Sequence, residues 1–134
     1  MIDWDALTQA ALDARALAYA PYSGYRVGAA LLSDDGAVFT GANLENASYG
    51  LCLCAERVAM ARALMEGAKG FTAICVATQG PSPGTPCGMC RQVLAEHAPG
   101  IPVRCVTADA DAVIDTDVSS LLPHAFDSSF LDDD

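Results

Sequence analysis

Phe71-Thr72-Ala73-Ile74-Cys75-Val76-Ala77-Thr78 is an apolar, β-branched run with little alternation, which predicts a strand buried on both faces and therefore central in its sheet. Upstream, Cys54, Val58, Ala61 and Met65 repeat at helical spacing until Gly67 supplies a stop. Downstream, a Pro/Gly loop over 79–86 leads into a helix over 88–98, stopped near Pro99-Gly100, and then a strand over 102–107. Helices alternating with strands in this order predict an α/β core. Too few residues separate the strand over 102–107 from the short run over 112–114 for a parallel crossover, so this pair is expected as an antiparallel hairpin. Nearer the start, Trp4, Leu7, Ala11, Ala14 and Ala18 predict an amphipathic helix to about residue 18, with Asp3 as its cap. The runs 27–32 and 38–41, joined by Ser33-Asp34-Asp35-Gly36, predict a β-hairpin.

The chain has 134 residues, which fits one domain. Seven basic side chains against seventeen acidic ones give a net charge of −10, and the basic residues are scattered singly. A nucleic-acid binder needs a basic stripe to neutralise phosphates, and an anionic membrane surface makes the same demand, so neither is expected as a partner. No apolar run approaches the length of a membrane-spanning helix, and the start Met1-Ile2-Asp3-Trp4-Asp5 is negative where a secretory signal is positive. A cytoplasmic protein is therefore expected. In a reducing compartment the six cysteines read as metal ligands or redox groups rather than as a disulfide framework. The segment after residue 108 holds no Lys or Arg; residues from about 127 to 134 are expected to form a flexible acidic tail, whereas Leu121-Leu122-Pro123-His124-Ala125-Phe126 is apolar enough to pack on the core or cover a partner.

Chemistry concentrates at two predicted helix mouths: Cys54-Ala55-Glu56 opens one helix and Pro86-Cys87-Gly88-Met89-Cys90 opens the other. The partial positive charge of a helix N-terminus favours thiolate over thiol, and so favours metal binding. Cys87 and Cys90, three apart, share one side of a first turn. Cys54 and Glu56, two apart, converge only if the metal lies over the helix end. Soft thiolates in tetrahedral array select zinc, and three of them leave a position for a water whose pKa falls toward about 7. A neighbouring carboxylate can take up and return that water's proton. Cys-x-Glu followed by Pro-Cys-x-x-Cys is the signature of zinc deaminases, in which the glutamate is the acid/base and not a ligand.

Together with Tyr19-Ala20-Pro21-Tyr22-Ser23, Val27-Gly28-Ala29-Ala30-Leu31, the stretch Gly41-Ala42-Asn43-Leu44-Glu45-Asn46-Ala47-Ser48-Tyr49-Gly50-Leu51, and Leu121-Leu122-Pro123 with Phe126, these motifs closely resemble the small cytidine deaminases that act on free nucleosides. The resemblance implies a three-layer α/β/α domain around a five-stranded mixed sheet, spanning residues 1–134. It implies zinc on Cys54, Cys87 and Cys90, and Glu56 as the proton shuttle in the conversion of cytidine and 2′-deoxycytidine to uridine and 2′-deoxyuridine. It further implies that Asn43 and Glu45 bind the ribose hydroxyls, that the main chain at Ala55 reads the pyrimidine oxygen, and that Tyr25 stands where the family usually has a stacking Phe. Phe126 matches an aromatic that closes the site of a neighbouring subunit in homotetrameric members.

Three thiolates give the zinc centre a net negative charge, which weakens it as a Lewis acid, and a guanidinium donating to a ligating sulfur would offset this. Arg57, which follows the glutamate, is the favoured candidate, on charge grounds and by the resemblance; Arg91, which follows Cys90, is the other candidate or else an ordinary exposed helix residue. Competing readings are a closed structural zinc site with Cys52, His97 or His124 as fourth ligand, a redox pair at Cys87 and Cys90, a deaminase of polynucleotides, and a deaminase of related aminopyrimidine nucleosides such as nucleoside antibiotics. Cys52, Cys75 and Cys105 read as small buried hydrophobes rather than ligands, with Cys52 the more suspect of the three because it stands two residues from Cys54. Departures from the family pattern are Cys52 in place of Thr, Met89 in place of Ala, Gly24 before Tyr25, and His97 in place of an aromatic. Tyr25 and Met89 bear on substrate breadth.

Overall fold

The computed structural model describes residues 1–132. The elements in chain order are α1 (Trp4–Arg15), β1 (Gly28–Ser33), β2 (Val38–Ala42), α2 (Ala55–Met65), β3 (Phe71–Thr78), α3 (Gly88–His97), β4 (Pro102–Thr107), β5 (Val113–Asp117) and α4 (Val118–Leu121), with single 3-10 turns at Tyr49–Leu51 and Ser128–Leu131. The strands form one sheet in the order β2-β1-β3-β4-β5, so the run from Phe71 to Thr78 is central, as its composition predicts. β1 pairs antiparallel with β2 and β3, β3 pairs parallel with β4, and β4 pairs antiparallel with β5. The sheet is mixed because the crossovers through α2 and α3 leave β2, β3 and β4 running in one direction, whereas the short β1–β2 and β4–β5 hairpins leave β1 and β5 running in the other.

Period-two alternation along the strands builds two cores. Ala30, Ala73, Cys75, Ala77 and Val106 face Leu7 and Ala11 of α1. Ala29, Leu31, Ile74, Val76, Val103 and Cys105 face Ala55, Ala59, Met60 and Ala63 of α2 and Leu94 of α3. The result is the expected three layers. Small residues let the layers approach closely. A Cβ on Gly41 would lie 2.4 Å from the carbonyl oxygen of Ala55 and 2.5 Å from the amide of Ala59, so only glycine lets β2 seat the first turn of α2. Gly28 does the same for α1, where a Cβ would meet the Ala11 carbonyl at 2.1 Å.

Two boundaries differ from the sequence expectation. Asp3 caps α1 as predicted, accepting from the Ala6 amide at 3.1 Å. The helix ends at Arg15 rather than near Ala18, because the amides of residues 16 to 18 bond to carbonyls three residues back, tightening the last turn until Tyr19 leaves it to pair with Asn43. Ala18 is buried, but outside the helix. β5 runs to Asp117 instead of Ile114, held by a bidentate ion pair from Arg104 to Asp115 across the hairpin, at 2.8 and 3.1 Å. The four-residue helix α4 follows, capped by Asp117 through the Ser120 amide at 2.7 Å, and Leu121 packs on the larger core. Within the expected tail, Asp127 caps the turn Ser128–Leu131 through the Ser129 amide at 2.9 Å; Asp133 and Asp134 lie outside the described residues.

Candidate functional site

The N-termini of α2 and α3 meet beside the C-terminal end of β3, which brings the two cysteine motifs together. Cys54 is the N-cap of α2, Cys87 the N-cap of α3, and Cys90 lies buried in the first turn of α3. The sulfurs are 3.7 Å apart between Cys54 and Cys87 and 3.5 Å apart between Cys87 and Cys90, and all three thiols are free. A tetrahedral zinc with Zn–S bonds of about 2.3 Å separates its sulfurs by about 3.8 Å. The trio therefore matches the edges of a zinc tetrahedron and could hold that ion. Among the described residues no other group of three such side chains gathers, and neither Cys52, His97 nor His124 joins this one.

The electrostatics suit a shared metal site. Hydrogen bonding from the Cys90 thiol, with Arg57 alongside, brings the Cys54 thiol down to about 5 against the opposing cost of burial. Cys90 moves up, since its proton is held by Cys54 and burial disfavours a second thiolate. Arg57, in the first turn of α2, places Nη2 3.6 Å from the Cys54 sulfur and 3.4 Å from the Cys52 carbonyl. Its Nε is buried without a protein partner. The guanidinium thus sits where the charge argument requires, donating to one of the three sulfurs that could hold the ion.

Glu56, the second residue of α2, is only 5 % exposed. Burial pushes its carboxyl up to about 7, and the negative Cys54 adds to the shift. A carboxyl poised there can hold or release a proton at neutral pH. It forms part of the wall of a cavity of about 480 Å³ that also includes the cysteines, Tyr25, Asn43, Glu45 and Ala55. That volume is in the range of small-molecule sites. Ala55 is fully buried at the first helical position, where the backbone amide has no acceptor within its own helix.

Asn43 and Glu45 line the cavity and at the same time hold its other wall. Asn43 Oδ1 accepts from the Val27 amide at 2.8 Å, and Nδ2 donates to the Tyr25 carbonyl at 2.7 Å. Glu45 Oε1 accepts from the amides of Tyr22 and Ser23 at 3.0 and 3.1 Å. The Ser23 hydroxyl, with these amides, keeps the Glu45 carboxyl below its usual range. Gripped in this way, the Tyr25 phenol reaches the loop over 79–86, where a Cβ on Gly84 would stand 2.9 Å from its hydroxyl. Glycine at 84 leaves room for tyrosine at 25.

One residue has a task that sequence reasoning did not give it. Arg91 is not an idle surface residue: Nε donates to the Pro86 carbonyl at 2.6 Å, Nη2 to the Thr85 hydroxyl at 2.9 Å and Nη1 to the Leu121 carbonyl at 2.8 Å. It clamps the loop that presents Cys87, and its position beside the ligand motif was the available signal. Phe126 does not line the cavity of its own chain; it is exposed and stacked on Phe130, ring centroids 5.3 Å apart. Asn46 serves its turn, accepting from the Ser48 amide at 2.8 Å, and Tyr22 packs edge-on against Tyr49. Cys75 and Cys105 are fully buried in the cores, but Cys52 is not: it is half-buried in the wall of the cavity, its sulfur accepting from the Asn46 amide at 3.3 Å, because its loop runs over the cavity rather than into a core.

Comparison with known proteins agrees with this geometry. Residues 1–108 match the model of the cytidine and deoxycytidylate deaminase zinc-binding region. The chain is 45 % identical over 132 residues to a cytidine deaminase of Halalkalibacterium halodurans, covering 98 % of this chain and all of that one. It is 52 % identical over 97 residues to a cytidine deaminase of Mycobacterium tuberculosis, 72 % of each chain. The crystal structure of cytidine deaminase from Burkholderia pseudomallei superposes with a TM-score of 0.89 at 47 % identity, covering 94 % of this chain and 100 % of that one. With its Cys-x-Glu and Pro-Cys-x-x-Cys motifs converging on one tetrahedral set of sulfurs, the chain belongs to the zinc-binding cytidine and deoxycytidylate deaminase family.

Proposed function

We propose that this protein hydrolyses cytidine and 2′-deoxycytidine to uridine and 2′-deoxyuridine, releasing ammonia. The observation that carries the reading is the buried Glu56 carboxyl, poised near neutrality in the same cavity as three thiols at tetrahedral spacing. Zinc held by Cys54, Cys87 and Cys90 would supply Lewis-acid activation of water. Glu56 takes a proton from the attacking water and hands it to N3 of the cytosine ring as the oxygen adds to C4; it then takes the remaining proton of the C4 hydroxyl and delivers it to the amino group, which leaves as ammonia as the C4–N bond breaks and the C4 carbonyl forms. The Arg57 guanidinium draws negative charge from the Cys54 sulfur and so keeps the metal electrophilic. The amide of Ala55 donates to the pyrimidine oxygen, Tyr25 stacks on the ring, and Asn43 and Glu45 bind the sugar hydroxyls.

The exposed pair Phe126 and Phe130, with Leu131 beside them, supports assembly as a homotetramer in which Phe126 closes a neighbouring subunit's cavity. Six free cysteines, three of them metal ligands in this reading, fit a reducing cytoplasm. No helix among the described residues is long and apolar enough to cross a membrane.

Purified protein incubated with cytidine, 2′-deoxycytidine and free cytosine, with ammonia followed in each, tests the reading. Turnover of both nucleosides that stops after chelation and returns with zinc is expected, with cytosine far slower because it lacks the sugar contacts. Equal turnover of cytosine would refute the roles of Asn43 and Glu45.

A further inference from the structure

We propose that Ser23 is a positioning residue for sugar recognition, acting through Glu45. The inference rests on the functional reading above, in which Glu45 binds the sugar, and adds to it a residue that does not line the cavity. The Ser23 hydroxyl donates to Glu45 Oε2 and accepts from the Tyr25 amide at 3.0 Å. A hydroxyl has one proton to give, and with its oxygen occupied by that amide the proton is aimed at the carboxylate. Glu45 Oε1 already carries the amides of Tyr22 and Ser23. A carboxylate offers about four acceptor sites. The two amides and the hydroxyl fill three, leaving one site on Oε2 for a donor from the substrate. The hydroxyl thereby fixes the torsion of the carboxylate and the direction of its last lone pair. Asn43, holding the carbonyl of Tyr25 and the amide of Val27, anchors the far end of the same loop, so the two sugar-binding side chains are set relative to each other by residues 22–27.

An alanine at 23 removes the charge-assisted bond and frees the carboxylate to rotate toward water, weakening a contact that exists only for substrates with sugar hydroxyls. The experiment measures kcat and KM of wild type, Ser23→Ala, Ser23→Thr and Glu45→Ala with cytidine and with 2′,3′-dideoxycytidine, alongside thermal melts. For Ser23→Ala the expected result is a rise of about tenfold in KM for cytidine with kcat within about twofold, and less than about a twofold change in KM for the dideoxynucleoside. Ser23→Thr, which keeps the hydroxyl, restores the cytidine KM, and the melting temperatures stay together. A parallel rise in KM for both substrates, or no rise while Glu45→Ala loses sugar discrimination, overturns the role of Ser23 and leaves that of Glu45 standing. Unchanged discrimination in Glu45→Ala overturns the sugar contact itself, and the proposal with it.

Discussion

Replacing Glu56 by Gln is expected to lower the rate of cytidine deamination by at least about a thousandfold while leaving zinc content unchanged. The substitution keeps the size of the side chain and removes its ability to exchange a proton. Glu56 is not one of the three side chains that could hold the ion, and it is buried at the second position of α2, where a neutral amide fits at least as well as a carboxylate that burial already drives toward protonation. Metal content measured beside single-turnover kinetics separates the roles. A rate within tenfold of wild type would mean that another group moves the proton, and loss of zinc would mean that Glu56 is a ligand. A protein whose zinc is purely structural has no rate to lose.

Cys87→Ala is expected to weaken zinc binding by more than about a hundredfold, beyond the effect usual for loss of an outer hydrogen-bond partner. Because Cys87 is exposed at the N-cap of α3 and its sulfur caps no amide, the change leaves the apo fold intact. In the wild type, zinc at a thousand times its Kd adds about 4 kcal/mol to stability, which for a domain of this size raises Tm by on the order of 10 °C or more. The variant loses this response. Melts with and without added zinc, for both proteins, make the comparison; a variant still stabilised by zinc to the same degree would place the ion elsewhere.

Much of this architecture is legible in the sequence because the deciding signals are local. The run Phe71–Thr78 carries its own burial, Asp3 its own cap, and the hairpin from β1 to β2 its own turn. The ligand motifs are likewise read from their places at helix mouths. The features that escaped depend on partners distant in the chain. Where α1 stops depends on Tyr19 pairing with Asn43, and the extension of β5 depends on Arg104 reaching Asp115. Arg91 gains its task only when the carbonyls of Leu121 and Pro86 and the Thr85 hydroxyl arrive around it. Asn43 and Glu45 are identified by motif, but their second duty, holding the loop that presents Tyr25, is visible only once residues 22–27 fold against them.

X-ray absorption at the zinc edge of the loaded enzyme tests the metal centre most directly. Three sulfur neighbours at about 2.3 Å with one lighter atom at about 2.0 Å is the spectrum that Cys54, Cys87 and Cys90 predict, the fourth position left for water. A fourth sulfur, or the outer-shell scattering of an imidazole, would describe a closed structural ion with no place for water to react, and would contradict the account.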